Sequence, residues 1–155
     1  HRYLLIPFFI YLIFSFRIFL GIIWIWASIN KIQDPAAFAR AINNYHVIPF
    51  GLENAIAIFL PWLELIIGIF LISGILVNGA SFISSSLLFL FIILITQAIL
   101  RGFNIDCGCG LKEGQLVGWN KIVENIFLLA TSYCVQTRKT FLFEPFSKTT
   151  LSDNI

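Results

Sequence analysis

Two long stretches of this chain carry one charge each: residues 3–29 hold only Arg17, and residues 54–100 hold only Glu64. A helix that crosses a bilayer needs roughly 20 mostly apolar residues. Read that way, the chain has room for four such helices and little else. Its composition agrees, with 59% hydrophobic and 12% charged residues, where soluble domains run nearer 45–50% and about 25%. This pattern excludes an ordinary cytosolic enzyme, a disordered tail and a nucleic-acid binder. A net charge of +2 is too small to imply an acidic partner. The expectation is an all-α protein, a four-helix transmembrane bundle with a short amphipathic surface helix between helices 1 and 2. Residues 1–137 form one membrane domain and 138–155 a polar C-terminal tail.

The first helix is expected over residues 4–29. Its apolar run exceeds the 7–15-residue core of a secretory signal, so it reads as a retained helix. Trp24 and Trp26 near its far end suit an interfacial aromatic belt. Asp34 is a good N-cap and Pro35 suits the first helical position. Phe38, Ala41, Ile42 and Tyr45 then recur at three- and four-residue spacing, with Arg40, Asn43 and Asn44 on other faces, which predicts a surface helix over 36–45. Spans are expected over 52–73, containing Pro61, over 80–100, and over 119–136, the last opening on Lys121, Glu124 and Asn125. A turn covers 74–79 and a polar loop 101–118. Four crossings put both termini on one side, and the surface helix and polar loop on the other.

The polar loop carries Asp106-Cys107-Gly108-Cys109-Gly110. Two thiols separated by one Gly can close a small strained disulfide ring, and Gly permits the backbone it needs. Strained, exposed disulfides are typically labile or catalytic. The functional reading is thiol–disulfide exchange at the membrane surface, with Cys107 and Cys109 reacting. Such chemistry persists outside the cytoplasm, which puts the loop on the periplasmic side of a bacterial inner membrane, although the Lys and Arg distribution leans slightly the other way. The bland reading is two unreactive thiols in a tight turn. Zinc wants four ligands, and only His46 and Asp106 are at hand to join the pair, so no metal site is assigned. His46 near a thiol would promote the thiolate; otherwise it is simply solvated. Cys134 falls near the opposite face and reads as a small core residue.

Charges inside a bilayer are expensive and usually pair. Arg17 lies 12 residues before position 29, and Glu64 lies 12 residues after position 52, so both are expected about 18 Å from the loop-side surface. The expectation is an Arg17–Glu64 ion pair, or a network shared with Ser84, Ser85 or Gln97. It would serve as a proton or quinone site, or fix helix register. Glu124 is expected to meet Lys31 or Lys121 in a structural role. His46, Asp106 and Lys31 are auxiliary candidates at the same rim.

Together these residues resemble the MauE/DoxX family of small four-helix membrane proteins. The pattern starts at Arg17 and runs through Ala27-Ser28-Ile29-Asn30-Lys31-Ile32, Asp34-Pro35, Phe38, Ala41-Ile42, Tyr45 and Pro49. It continues through Leu60-Pro61-Trp62-Leu63-Glu64-Leu65, Gly68 and Gly74 to Cys107-Gly108-Cys109-Gly110, and the cysteine motif points to the MauE branch. Two departures concern the surroundings of the dithiol: Gly110 follows Cys109 directly, and Glu124 precedes Asn125. The resemblance implies a redox-associated membrane protein. MauE-type proteins are linked to maturation of periplasmic methylamine dehydrogenase, whose small subunit is rich in disulfides; DoxX-type relatives are tied to sulfur or quinone chemistry. The implied partners are the lipid bilayer and a thioredoxin-like periplasmic protein or disulfide-containing client. No cofactor is fixed by the residues; a quinone near the bundle top enters only by analogy to four-helix disulfide-generating membrane enzymes. The rival reading is a non-enzymatic accessory subunit of a larger membrane complex, its 17 Phe residues facing protein or lipid equally well.

Overall fold

The computed structural model describes residues 2–49, 51–102 and 118–137, with side chains from Tyr11 onward. Among them are five helices and no strand: α1 (Arg2–Gln33), α2 (Pro35–Asn44), α3 (Leu52–Ser73), α4 (Val77–Leu100) and α5 (Trp119–Thr137). The order matches the sequence expectation, and the bounds of α3 match it to the residue.

Local chemistry explains the breaks. The Asp34 carboxylate accepts from the Ala37 N–H at 2.8 Å, and Pro35 occupies the first turn of α2. That bond satisfies one of the orphan donors at a helix start. Asp34→Ala is therefore expected to cost about 1 kcal/mol, read as a lower melting temperature in detergent. At the far end of α3, Gly74 adopts φ 78 and its N–H donates to the Phe70 carbonyl. This left-handed stop, natural for Gly, suffices to end the helix. The turn is thus shorter than expected, and α4 begins at Val77 rather than at Ala80.

α1 packs on α3 and α4 on α5, while α1–α5 and α3–α4 contacts close the bundle. Leu20, Trp24, Ile67, Leu71, Leu88 and Leu128 lie in its core. α2 is amphipathic as expected: Phe38, Ala39 and Ile42 pack on Ala57 of α3, and Arg40, Asn43 and Asn44 face outward.

Three helical segments are long and apolar enough to cross a membrane: Tyr11–Gln33, Leu52–Ser73 and Val77–Leu100. Four were expected. α5 is not among the three, because Lys121, Glu124 and Asn125 crowd its first two turns and Thr131 and Ser132 follow.

In lipid, burying apolar surface gains little over leaving it in hydrocarbon, so helix pairing relies on close packing and polar contacts. The α1–α3 crossing shows both. A Cβ on Gly21 would fall 2.6 Å from Ile72 Cγ1 and 3.0 Å from the Gly68 carbonyl oxygen. A Cβ on Gly68 would fall 2.6 Å from Ile25 Cγ1 and 2.9 Å from the Gly21 oxygen. The two glycines face each other, and they set the register of every other pair along these helices.

Candidate functional site

Lys31 sits in the last turns of α1 and Glu64 in the middle of α3. The Lys31 ammonium lies 2.6 Å from Glu64 Oε1 and donates to Oε2 at 2.9 Å. Their side chains are 4% and 0% exposed. Two aromatic rings complete the enclosure, with Lys31 Nζ 4.9 Å from the Phe38 centroid and 5.4 Å from that of Phe91. Ring faces attract a cation, and more so where water is excluded. One ammonium thus gathers a carboxylate from α3 and rings from α2 and α4.

This corrects the expected Arg17–Glu64 pair. α1 continues past residue 29 to Gln33, so Arg17 is deeper than assumed. With Gly21 opposite Gly68, Arg17 falls beside Ile72, eight residues or about 12 Å from Glu64 along the axis. Arg17 is buried, with its guanidinium 5.0 Å from the Phe14 centroid.

The serines expected to join the charges form a network of their own. Trp24 donates its indole N–H to Ser84 Oγ at 2.8 Å. The Ser132 hydroxyl lies 3.2 Å from Ser84 Oγ and 3.1 Å from the Ser81 carbonyl, and it accepts from Ser85 Oγ at 3.0 Å. These bonds join α1, α4 and α5. Trp24 is accordingly a buried donor and not a belt residue, whereas Trp26 is exposed. Gln97, also expected in the charge network, instead accepts from the Arg101 guanidinium once its amide is oriented for hydrogen bonding.

A second ion pair lies beside the first. Lys121 Nζ donates to Glu124 Oε2 at 2.7 Å, and Asn125 Nδ2 donates to the Lys121 carbonyl at 2.8 Å. Pairing of Glu124 with Lys121 was one of the two expected arrangements. Lys31, Lys121, Glu124 and Asn125 share a cleft of about 30 Å³ with Trp24 and Ala27. A cleft of that size, with these four polar side chains among its otherwise apolar walls, has room for a water.

Cys107, Cys109 and Asp106 lie outside the described residues. The described chain leaves α4 at Gly102 and resumes at Gly118, at the bundle end that carries α2, Lys31 and the start of α5. His46 is exposed at that end, with a left-handed φ of 50. Cys134 is exposed on α5 rather than in the core expected for it. Among the described residues no three His, Cys, Asp or Glu side chains gather as metal ligands.

The family model described as methylamine utilisation protein MauE matches residues 9–136. The methylamine utilization protein MauE of Paracoccus denitrificans is 30% identical over 129 residues, covering 81% of this chain and 68% of that protein. The protein of that name from Methylorubrum extorquens is 31% identical over 121 residues, covering 76% and 64%. The one from Methylophilus methylotrophus is 33% identical over 93 residues, covering 59% and 49%. The chain thus spans between half and about two thirds of the length of these relatives. No solved structure matches it.

Proposed function

The chain belongs to the MauE family of membrane proteins, and on that premise we propose that it is a thiol–disulfide redox protein acting in methylamine utilisation, with Cys107 and Cys109 as the exchanging pair. The observation that carries the reading is the Cys-Gly-Cys spacing itself, in the stretch of sequence between two packed helices, α4 and α5. One intervening residue strains the ring, and strain makes a disulfide a better oxidant.

In the forward direction a client thiolate attacks one sulfur of the Cys107–Cys109 disulfide. The client's second thiolate then resolves the mixed disulfide. The client leaves with a new disulfide, and Cys107 and Cys109 leave as thiols carrying the two electrons. A thioredoxin-like partner bearing a disulfide takes those electrons by the reverse exchange. In this reading α5 is the fourth crossing, with Lys121 and Glu124 neutralising each other near its start. The loop end faces the periplasm, where disulfides persist. Lys31 and Glu64 lie below that rim as a fixed charge pair, and His46 lies beside it.

The test uses membranes containing the full chain in a Cys134→Ser background, with free thiols tagged by a mass-adding maleimide. The pair is expected to shift by two tags only after reduction. Cys107→Ser is expected to trap a client or partner on Cys109 as a mixed disulfide, and to abolish growth on methylamine. If the two thiols never change state and Cys107→Ser grows normally, the chain is instead a non-enzymatic accessory subunit, and co-purification of an intact complex becomes the informative experiment.

A further inference from the structure

Beneath α2 lies an apolar chamber of about 190 Å³, walled by α2, α3 and α4. It is larger than an engineered apolar cavity of about 150 Å³ that stays dry and takes up benzene. Its walls include Ile42 of α2, Leu60 of α3, and Phe91 and Leu94 of α4. Its one side-chain hydroxyl belongs to Tyr45, and no acidic or basic side chain lines it, so the wall carries no charge. Water gains nothing by entering such a space.

Depth identifies what does enter. Ile56 and Leu60 lie four and eight residues beyond the start of α3, and Ile95 and Leu90 five and ten residues before the end of α4. At 1.5 Å per residue the α3 and α4 walls lie about 6 to 15 Å below the helix ends, with α2 and the connection after it as the roof. One leaflet of hydrocarbon is about 15 Å deep, half of a core of about 30 Å. Those walls are therefore at the level of acyl chains, below that of headgroups. Its rim residues Val47 and Leu90 are 45% and 48% exposed, as a mouth opening on lipid requires.

We propose that this chamber binds one acyl chain of a bilayer phospholipid, which enters laterally beneath α2 and packs against Phe38 and Phe91. Those two rings also flank the Lys31 ammonium. An acyl chain behind them keeps water from the Lys31–Glu64 pair on that side, so the bound lipid completes the enclosure of the buried charges. The proposal does not depend on the thiol chemistry.

The test reconstitutes the full chain into phosphatidylcholine vesicles doped with a phosphatidylcholine that carries a diazirine on the upper half of one chain. After irradiation, adducts are mapped by mass spectrometry. Adducts on Ile42, Leu60, Phe91 and Leu94 are expected to exceed those on Phe59 and Ile93, which face lipid at the same depth, on the order of tenfold, a preference of about 1.4 kcal/mol. Ala41→Phe should abolish the excess by filling the chamber from its roof. Leu94→Ala, which removes bulk and cannot overfill, should keep it at Phe91. Equal labelling of chamber and control residues in the wild type overturns the proposal without any variant. Displacement by an isoprenoid quinone, but not by excess phospholipid, overturns it in favour of a quinone site.

Discussion

Glu64→Leu is expected to destabilise the bundle by on the order of 3–5 kcal/mol, the usual cost of leaving one buried charge without its partner. Lys31 is buried, and its ammonium touches both carboxylate oxygens. Removing the carboxylate leaves only two ring faces to hold a full charge, and a ring face is worth about 0.5–2 kcal/mol. Lys31→Met should fail to a similar degree, because Glu64 is fully enclosed. The double variant Lys31→Met/Glu64→Leu should recover most of the loss, since an apolar replacement of a buried pair is often close to neutral. Melting temperatures in detergent for the four proteins of this cycle give the coupling directly. Additive single losses would mean that the two groups are not paired in the membrane. The double variant also separates structure from chemistry: if it accumulates normally but no longer supports growth on methylamine, the pair acts in the reaction as well as in the fold.

The pairing was legible in the sequence to a reader who followed side-chain direction. In a helix the Cα–Cβ bond tilts toward the N-terminus. Lys31, close to the end of α1, therefore leans down into the bundle, and Glu64 in the antiparallel α3 leans up to meet it. Arg17 leans the other way, toward the start of α1. Counting residues from assumed helix ends misses this, and also depends on where α1 stops, which is at Gln33, four residues beyond the expected end at position 29. The signals that did carry through were local. Asp34-Pro35 caps α2 as read, and the period of Phe38, Ala41 and Ile42 gave its buried face. Trp24, Ser84 and Ser132 were illegible as a set, because their contact spans about 110 positions of chain and nothing near any one of them announces the others. Cys134 was misread for a related reason. A small thiol tells little about which face of α5 it occupies, whereas the neighbouring Ser132 and Val135 are buried.

Gly68→Ala is expected to damage the protein far more than a single methyl suggests. Its new Cβ would lie 2.6 Å from Ile25 Cγ1, 2.9 Å from the Gly21 carbonyl oxygen and 3.1 Å from the Ile25 nitrogen. Carbon contacts settle near 3.5–4.0 Å. The Ile25 side chain can rotate away, but the two backbone atoms cannot, so α1 and α3 must separate. Overpacking of this kind costs typically 1–3 kcal/mol. Glu64 lies one turn from Gly68 on the same face of α3, so the separation also pulls on the Lys31–Glu64 contact. Gly79 supplies the control. It too lies within a helix, but a Cβ there meets nothing within 4 Å. Gly79→Ala should be neutral or stabilising, by up to about 1 kcal/mol from helix propensity alone. Gly21→Ala should fall between the two, because its Cβ meets one backbone atom closely, the Gly68 oxygen at 3.0 Å, where a Cβ on Gly68 meets two. The measurement is the order of three melting temperatures in one detergent. Should Gly68→Ala melt with Gly79→Ala, the glycine crossing does not set the α1–α3 register, and the depth assigned to Arg17 fails with it.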